Sequence, residues 1–224
     1  MEIYDKAPTF WLDPKTAVIE HLRIENMKYN ITQLVISTHL GTHLDAPFHF
    51  FDSGRTVDRL DLSRGFGPAS VLDFSAKGPK GIITREDLVK HDTLLVQNAR
   101  IIIRTGWDHV FPAPRYFTDY PGIDPEACEL LAERKVACLA MDMPSIYGPD
   151  YVTVHQALLR AEVLIVEGLA NLDRLKGTTV FFAALPLRIR GRDGSPCRAI
   201  AVDGLNDAEL KLFGGIDHYE APGT

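Results

Sequence analysis

The sequence predicts an α/β or α+β fold built around a mixed sheet. Six short apolar runs rich in β-branched residues recur along the chain, each of strand length and bounded by polar or turn residues. Helical stretches lie between several of them. Most of the runs are continuously apolar, as strands covered on both faces are. With 224 residues, 46% of them hydrophobic and 24% charged, we expect one globular domain over residues 1–224.

The predicted strands are spread along most of the chain. In order they are Leu34–Ile36, Ser70–Phe74, Ile101–Ile103, Val136–Met141, Val163–Val166 and Val180–Leu185. Further on, the sequence GRDG at Gly191–Gly194 predicts a hairpin turn. That turn would join two additional strands over Leu187–Arg190 and Arg198–Val202.

Three helices are predicted between the strands. Thr84 followed by Asp87 is a capping signal for a short helix that ends near residue 91. Asp124 followed by Pro125 predicts the start of a helix that continues to residue 135. Thr153 is a candidate N-cap for a helix over residues 154–161.

Composition excludes several classes of function. The chain carries 30 acidic and 24 basic residues and has no Lys/Arg cluster, which disfavours a nucleic-acid partner. No apolar run approaches the length of a membrane span, and the N-terminus has no secretory signal, so we expect no membrane partner. The three cysteines are scattered and form no CxxC pair, which argues against both a disulfide framework and a thiolate zinc site. These features favour a cytoplasmic location.

A cluster of histidines marks the candidate site. Three of the eight histidines, His39, His43 and His49, fall within eleven residues together with Asp45. Imidazole and carboxylate groups are ordinary ligands of zinc and manganese. A lone histidine is more often a surface or core residue, but three at this spacing favour a metal site. Four further histidines have no such neighbours, and we interpret them as ordinary surface or core residues: His21, His91, His109 and His218.

The spacing constrains the local backbone. On an extended strand the Cα atoms of His39 and His43 would lie about 13 Å apart, too far for both to reach one ion. Gly41 permits a tight turn between them, and Pro47 prevents a helix from continuing. We therefore expect the first three candidate ligands on a turn or loop that follows a strand ending near Ser37.

A second pair of candidate ligands lies far downstream. His155 falls in the first turn of the predicted third helix, and Glu167 ends the apolar run Val163–Val166 that follows this helix. Loops at strand ends are where α/β proteins place their chemistry. On spacing alone the pair is weak, because a glutamate at the end of a strand is more often solvated.

Four motifs give the chain a family resemblance. Residues 39–49 match HxGTHxDxPxH, with seven specified positions in eleven. Residues 104–107 read RTGW, residues 142–145 follow D-x-P-S, and residues 155–172 follow H-x11-E-x-L-x-N-L. The chain resembles the cyclase-like metal-dependent hydrolases over most of its length.

The resemblance implies a fold and a ligand set. The fold would be a mixed α/β architecture with a barrel-like sheet, a swivelling β/β/α domain, assembled as a homo-oligomer (dimer or tetramer). The motif implies that His39, His43 and Asp45 bind metal, and that His155 and Glu167 complete a two-metal site. The cofactor would be one or two divalent ions, zinc in the first place and manganese as the alternative.

The resemblance also implies an activity on a small-molecule substrate. Members of the family hydrolyse aryl formamides, as in the conversion of N-formylkynurenine to kynurenine and formate. His49 would be the catalytic proton donor or acceptor, and Trp11 would contact the substrate. Alternatives are the hydrolysis of isatin-like cyclic amides or lactones, and a non-catalytic protein that binds metal or a small molecule. The segment Trp11–Pro14 departs from the family's W-P-G-D turn, and Tyr147 stands where an acidic residue is expected.

Aromatic residues near the motif suggest a place for an aryl ring. Phe48, Phe50, Phe51, Trp11 and Tyr147 could line an apolar slot beside His49. The alternative for each is a place in the core, which is also what we expect of Trp107.

Overall fold

The computed structural model describes residues 1–214 and is organised around one mixed sheet of eight strands. The chain forms twelve strands in all within these residues: β1 Ala17–Leu22, β2 Ile31–Val35, β3 His43–Asp45, β4 Phe66–Asp73, β5 Ile82–Ile83, β6 Arg100–Arg104, β7 Gly122–Ile123, β8 Cys138–Met141, β9 Leu164–Glu167, β10 Thr179–Ala183, β11 Gly194–Pro196 and β12 Ile200–Val202. The eight-stranded sheet has the order β11-β3-β9-β8-β6-β4-β10-β12 and is curled into a half-barrel. This confirms the predicted mixed α/β fold with a barrel-like sheet.

Residues 1–214 contain five α-helices. They are α1 Ile24–Met27, α2 Arg85–Val89, α3 Pro125–Glu133, α4 Tyr151–Arg160 and α5 Asp207–Gly214. The capping box of Thr84 and Asp87 and the cap of Asp124 are present as predicted. The predicted Thr153 cap is wrong, because α4 begins earlier and the side chain of Asp150 accepts the hydrogen bond of the Thr153 amide. None of the helices within residues 1–214 is long and apolar enough to cross a membrane.

The continuous apolar runs are explained by cores on both faces of the sheet. Ile101 and Ile103 in β6 belong to one buried cluster, together with apolar residues of α3 and α4. Ile102 between them belongs to a second cluster on the other face, which contains Val180 and Phe182 of β10. Successive side chains of a strand point to opposite faces, so a strand buried on both sides has no polar positions to alternate.

The strand directions bring the candidate ligands to one edge of the sheet. β4, β6, β8 and β9 are parallel, and their carboxyl ends therefore lie at the same edge. β3 runs antiparallel to β9, and His43 is the direct partner of Glu167 in that register. The last residue of β9 and the first residue of β3 are thus neighbours, although 124 positions separate them in the sequence.

The predicted hairpin at Gly191–Gly194 is wrong. Leu187–Arg190 forms no strand, β11 pairs with β3, and β12 pairs with β10. Tertiary contacts outweigh the local turn signal, because the amide of Val57 donates to the Arg192 carbonyl (2.8 Å) and that of Ala46 to the Asp193 carbonyl (2.8 Å).

β1 and β2 form a separate two-stranded hairpin arm, Ala17–Val35, that pairs with no other strand in the part of the chain described. Every residue of β2 is exposed. Seven large apolar side chains of the arm are exposed, namely Ile19, Ile24, Met27, Tyr29, Ile31, Leu34 and Val35.

Candidate metal centre and active site

The centre of the site is built from β3 and β9. His43 and Asp45 are two residues apart on β3 and so point to the same face, while Leu44 between them is buried in the core. Glu167 faces them from β9, with Oε2 3.4 Å from Nε2 of His43. The expectation that His43 and Asp45 lie on a loop is therefore wrong, because cross-strand pairing makes the segment extended.

His39 reaches the same centre through the predicted turn. Gly41 adopts a positive φ of 64°, which lets the chain reverse between His39 and β3. The two imidazole rings meet edge to face with centroids 5.1 Å apart. Nδ1 of His39 lies 2.8 Å from Oδ1 of Asp45.

His155 enters from the opposite side on the buried face of α4. Its Nε2 lies 3.3 Å from Oε1 of Glu167 and 3.6 Å from Oδ2 of Asp45. The ring of Phe50 stacks on the His155 imidazole with centroids 4.8 Å apart. The structure therefore brings together all five residues that the sequence predicted as ligands.

Two of the histidines are oriented by backbone carbonyls. Nδ1 of His43 donates to the Gly41 carbonyl (3.0 Å), and Nδ1 of His155 donates to the Tyr151 carbonyl (2.6 Å). With the proton held on Nδ1, Nε2 of each neutral ring presents a lone pair to the two carboxylates. This is the arrangement that orients histidine ligands towards a metal.

Unsatisfied polar atoms test whether a metal fits here. Asp45 is 1% exposed and Glu167 is 4% exposed. Oδ2 of Asp45 and Oε1 of Glu167 are buried and accept no hydrogen bond of good geometry, although Nε2 of His155 lies 3.6 and 3.3 Å from them. Buried carboxylate oxygens without a partner are costly, and a divalent cation would satisfy them. The donor set of imidazoles and carboxylates suits that ion, so the residues present fit a metal.

The potential ligand atoms fall into two groups that share one residue. The atoms of His39, Asp45 and His49 lie within 4.8 Å of one another, and so do those of His43, Asp45 and Glu167. Asp45 belongs to both groups and would hold a metal ion in either of them.

The carboxylates create a strongly negative centre. Burial opposes the charging of His39 and His43, but the charge of Asp45 and hydrogen bonds to the surrounding carboxylates outweigh it. The pKa of His39 is raised to about 9 and that of His43 to about 10. Conversely, burial of Asp45 is outweighed by the charges of the two histidines, which hold its pKa well below the ordinary value. The cluster therefore attracts positive charge, either as protons or as a cation.

His49 lies at the mouth of the centre, on a single 3-10 turn that begins at Pro47. Its side chain keeps 30% of its surface exposed, and its ring stacks on His39 with centroids 4.1 Å apart. Desolvation, together with the neighbouring His39 and His155, lowers its pKa to about 4. His49 is therefore neutral at neutral pH and able to accept a proton.

Of the aromatic residues expected beside His49, Phe50 lies there, with the two rings edge to face and their centroids 4.6 Å apart. A crevice beside His39 and His43 is lined by the aromatic residues Phe10, Phe111, Tyr116 and Phe117. The rings of Phe10 and Phe117 meet edge to face with centroids 5.1 Å apart.

Of the aromatics expected near His49, the ring of Phe51 lies 5.4 Å from the guanidinium of Arg160, and Tyr147 packs against the core. Trp107 is in the core as expected, and its indole nitrogen donates to the Tyr116 carbonyl.

Trp11 does not join the cluster within this chain. Its side chain is 86% exposed, and it lies on a turn between Phe10 of the crevice and Asp13. Burial raises the pKa of the Asp13 carboxyl, and the histidines His39 and His43 oppose the shift, which places this carboxylate in the field of the centre.

Sequence reasoning missed Asp193, whose Oδ2 lies 2.7 Å from Nε2 of His39. Its sequence signal was weak. Asp193 is a single carboxylate in the arginine-rich stretch 188–198, and local turn rules assign that stretch to a hairpin. Of the histidines read as ordinary, His21, His91 and His109 lie outside the cluster, and His218 lies outside the described residues.

Comparisons with known proteins relate the chain to a family. A family model described as "Putative cyclase" matches residues 1–147. A kynurenine formamidase from Geobacillus thermodenitrificans (strain NG80-2) is 32% identical over 208 residues, which cover 84% of this chain and 95% of that protein. The solved structure of isatin hydrolase A from Ralstonia solanacearum superposes with a TM-score of 0.78 at 25% identity, covering 91% of this chain and 90% of the other.

A further solved structure, a potential metal-dependent hydrolase with cyclase activity, has a TM-score of 0.77 at 23% identity and covers 92% of this chain and 96% of its own. That likeness shows the fold. The family model covers more than half of the chain, and the formamidase match spans most of both proteins. The resemblance carried by the motifs is confirmed: this chain belongs to the cyclase family of metal-dependent hydrolases.

Proposed function

We propose that the protein is a metal-dependent amidohydrolase that acts on an aryl formamide, converting N-formylkynurenine to kynurenine and formate. The observation that carries the proposal is the buried centre in which two unpartnered carboxylate oxygens face three histidines. The relative named kynurenine formamidase, 32% identical over most of both chains, supports the substrate class.

His39, His43, Asp45, His155 and Glu167 are the proposed ligands of the metal. Asp45 is shared by the two groups of potential ligand atoms, which supports two ions rather than one; His49 belongs to the group of His39, but we assign it as the proton carrier rather than a ligand. The mixture of nitrogen and oxygen donors supports Zn²⁺, with Mn²⁺ as the alternative. A divalent cation held there would lower the pKa of a bound water from 15.7 to about 7 and would polarise the substrate carbonyl.

His49 is the proposed proton carrier. In the reaction, water adds to the formyl carbon, the bond from that carbon to the aniline nitrogen breaks, and formate leaves. His49 takes the proton that the water loses and gives it to the leaving nitrogen. Its lowered pKa keeps the ring neutral before the reaction, as the accepting step requires, and makes the protonated ring a strong proton donor to the leaving nitrogen. Its exposed position at the mouth supports contact with substrate.

The aromatic crevice is the proposed site for the aryl ring. Phe10 and Phe117 form an edge-to-face pair beside two of the proposed ligands, and the crevice is lined mostly by apolar groups. The crevice has a cavity volume of about 20 Å³, so an aryl group on the scissile nitrogen would enter it only after the aromatic side chains move apart. Trp11 is proposed to contact substrate from its turn, at its own site or at that of a neighbouring subunit.

A panel of substrates tests the proposed function. Protein loaded with Zn²⁺ or Mn²⁺ is assayed side by side with N-formylkynurenine, isatin and an aryl lactone. We expect N-formylkynurenine to be turned over with the highest kcat/KM. If the protein opens isatin or the lactone and leaves N-formylkynurenine intact, the proposed substrate is refuted but the proposed hydrolase activity stands. Hydrolysis of isatin is the second candidate function because of the similarity to isatin hydrolase A. Tight metal binding with no turnover of any substrate would support a non-catalytic binding protein.

We also propose that the chain forms a homo-oligomer, a dimer or tetramer, through the hairpin arm Ala17–Val35. The arm exposes apolar side chains on both of its faces, and a second copy would cover them. Ile19→Lys with Leu34→Lys should reduce the mass measured by light scattering. The matched control is Val96→Lys, which changes an exposed apolar residue outside the arm. A monomeric wild-type protein would refute this proposal.

The location is proposed to be the cytoplasm. Cys128, Cys138 and Cys197 are all free thiols, as expected in a reducing compartment. Fractionation of the source cells tests it.

A further inference from the structure

The three histidines proposed as ligands differ in what holds the nitrogen that faces away from the centre. His43 and His155 are held by backbone carbonyls, through Nδ1 in both cases. His39 is reversed: its Nδ1 faces Asp45, and its Nε2 lies 2.7 Å from a side-chain carboxylate, that of Asp193. His39 is thus the one of these three rings whose outer partner is a side chain.

The carboxylate of Asp193 is itself held in place. The hydroxyl of Thr38 donates to the same Oδ2 (3.0 Å) that contacts His39. The backbone on both sides of Asp193 is fixed, because its carbonyl accepts from the Ala46 amide and Gly194 begins β11 opposite Asp45. Gly194 also lies against the ring: a Cβ there would be 2.9 Å from Cε1 of His39. β11 therefore encloses the ring while Asp193 holds its outer nitrogen.

We infer that Asp193 is the positioning residue that fixes His39 with Nδ1 towards the metal. A carboxylate acceptor keeps the proton of the neutral imidazole on Nε2, which leaves the Nδ1 lone pair directed at the centre. The inference rests on the metal site proposed above. Outer partners of this kind raise ligand basicity, and their loss typically weakens metal binding 10–100-fold.

The same carboxylate extends its influence to the mouth of the site. Oδ2 of Asp193 lies 3.9 Å from Nδ1 of His49, and the His49 ring stacks on that of His39. Asp193 thus contacts a ligand and lies beside the proposed proton carrier. A change at this residue should therefore alter kcat more than KM.

The test measures metal affinity and the coordination of the bound ion. Metal-free wild-type protein and Asp193→Asn are titrated with Zn²⁺ against a chromophoric chelator, and with Co²⁺ while its visible absorption is recorded. We expect Asp193→Asn to weaken Zn²⁺ binding 10–100-fold and to change the Co²⁺ spectrum. Thr38→Val, which removes the second partner of Oδ2 and keeps the charge, should shift both in the same direction by less.

Asp58→Asn is the matched control. Asp58 anchors the same loop, since its Oδ1 accepts from the Gly191 amide (2.9 Å), and it does not contact His39. The control should bind both ions as the wild type does. Wild-type affinity and spectrum in both Asp193→Asn and Thr38→Val would overturn the inference, and so would equal weakening in Asp58→Asn. If the wild type binds metal but hydrolyses no formamide, the proposed substrate fails while the positioning role is still measured.

Discussion

Removing the metal should make the stability of this protein fall steeply as the pH rises. In the metal-free protein the pKa of His39 is raised to about 9 and that of His43 to about 10, against an ordinary value of 6.5. A raised pKa means that the folded state holds protons that the unfolded state has lost. This stabilisation is complete below pH 6.5 and is lost as the pH rises through 9 and 10.

The magnitude follows from the number of protons. Each proton held only by the folded state changes the free energy of unfolding by about 1.4 kcal/mol per pH unit. His39 and His43 together give a fall of about 4 kcal/mol between pH 7.0 and 8.5, and His155, whose pKa is also raised, against the effect of burial, by its contacts with Glu167, adds to it. That is a large part of the 5–15 kcal/mol typical of a domain. The amino group of Met1, whose pKa is lowered chiefly by burial, offsets part of the fall.

Urea unfolding at several pH values between 7.0 and 8.5 measures this dependence, with fluorescence of the buried Trp107 as the probe. His43→Gln should make the slope shallower, because it removes one of the protons that only the folded state holds. In the metal-loaded protein both rings must be neutral, so their contribution to the slope should vanish. A metal-free protein whose stability is constant or rises over this range would refute the assignment of charge in the centre.

Three further predictions concern individual residues. His49→Ala should keep its bound metal and lose turnover by roughly a hundredfold or more, whereas His43→Ala should lose both metal and turnover. Metal content and rates are measured on both variants, and equal metal loss would show that His49 is a ligand. Trp11→Ala and Phe117→Ala should each raise KM more than they lower kcat. The rise in KM should be up to about tenfold, because a ring contact contributes about 0.5–1.5 kcal/mol, and unchanged kinetics would exclude these rings from the substrate site. Gly168→Ala should destabilise the protein by about 1–3 kcal/mol, because a Cβ there would lie 2.5 Å from the Gly41 carbonyl at a φ of 65°; a wild-type melting temperature would contradict this.

The part of the site that could be predicted from the sequence is the part that is local. His39, His43 and Asp45 lie within seven residues, so their types and spacing already indicate a shared ion. Even there, the spacing did not predict the backbone conformation. Pairing with β9 makes His43 and Asp45 part of a strand, and no local sequence signal specifies that pairing.

The downstream half of the site depended on the family motif. A histidine on a helix and a glutamate at the end of a strand are common, and only the register between β3 and β9 makes Glu167 the neighbour of His43. Asp193 could not be predicted from the sequence, because its inferred role depends on a contact with His39 across 154 positions. The aromatic crevice was missed for the same reason, since it forms where the segment around Phe10 packs on Phe117.

The most direct test of metal-dependent hydrolysis at this centre is to measure turnover while the metal-free protein is titrated with metal. Protein stripped with a chelator is titrated with Zn²⁺, and in parallel with Mn²⁺, while hydrolysis of N-formylkynurenine is followed at each ratio of metal to protein. We expect no turnover without metal, a rise as the centre fills, and a plateau once the site that contains Asp45 is occupied. Full turnover by the stripped protein, or by a metal-free Asp45→Asn variant, would contradict it.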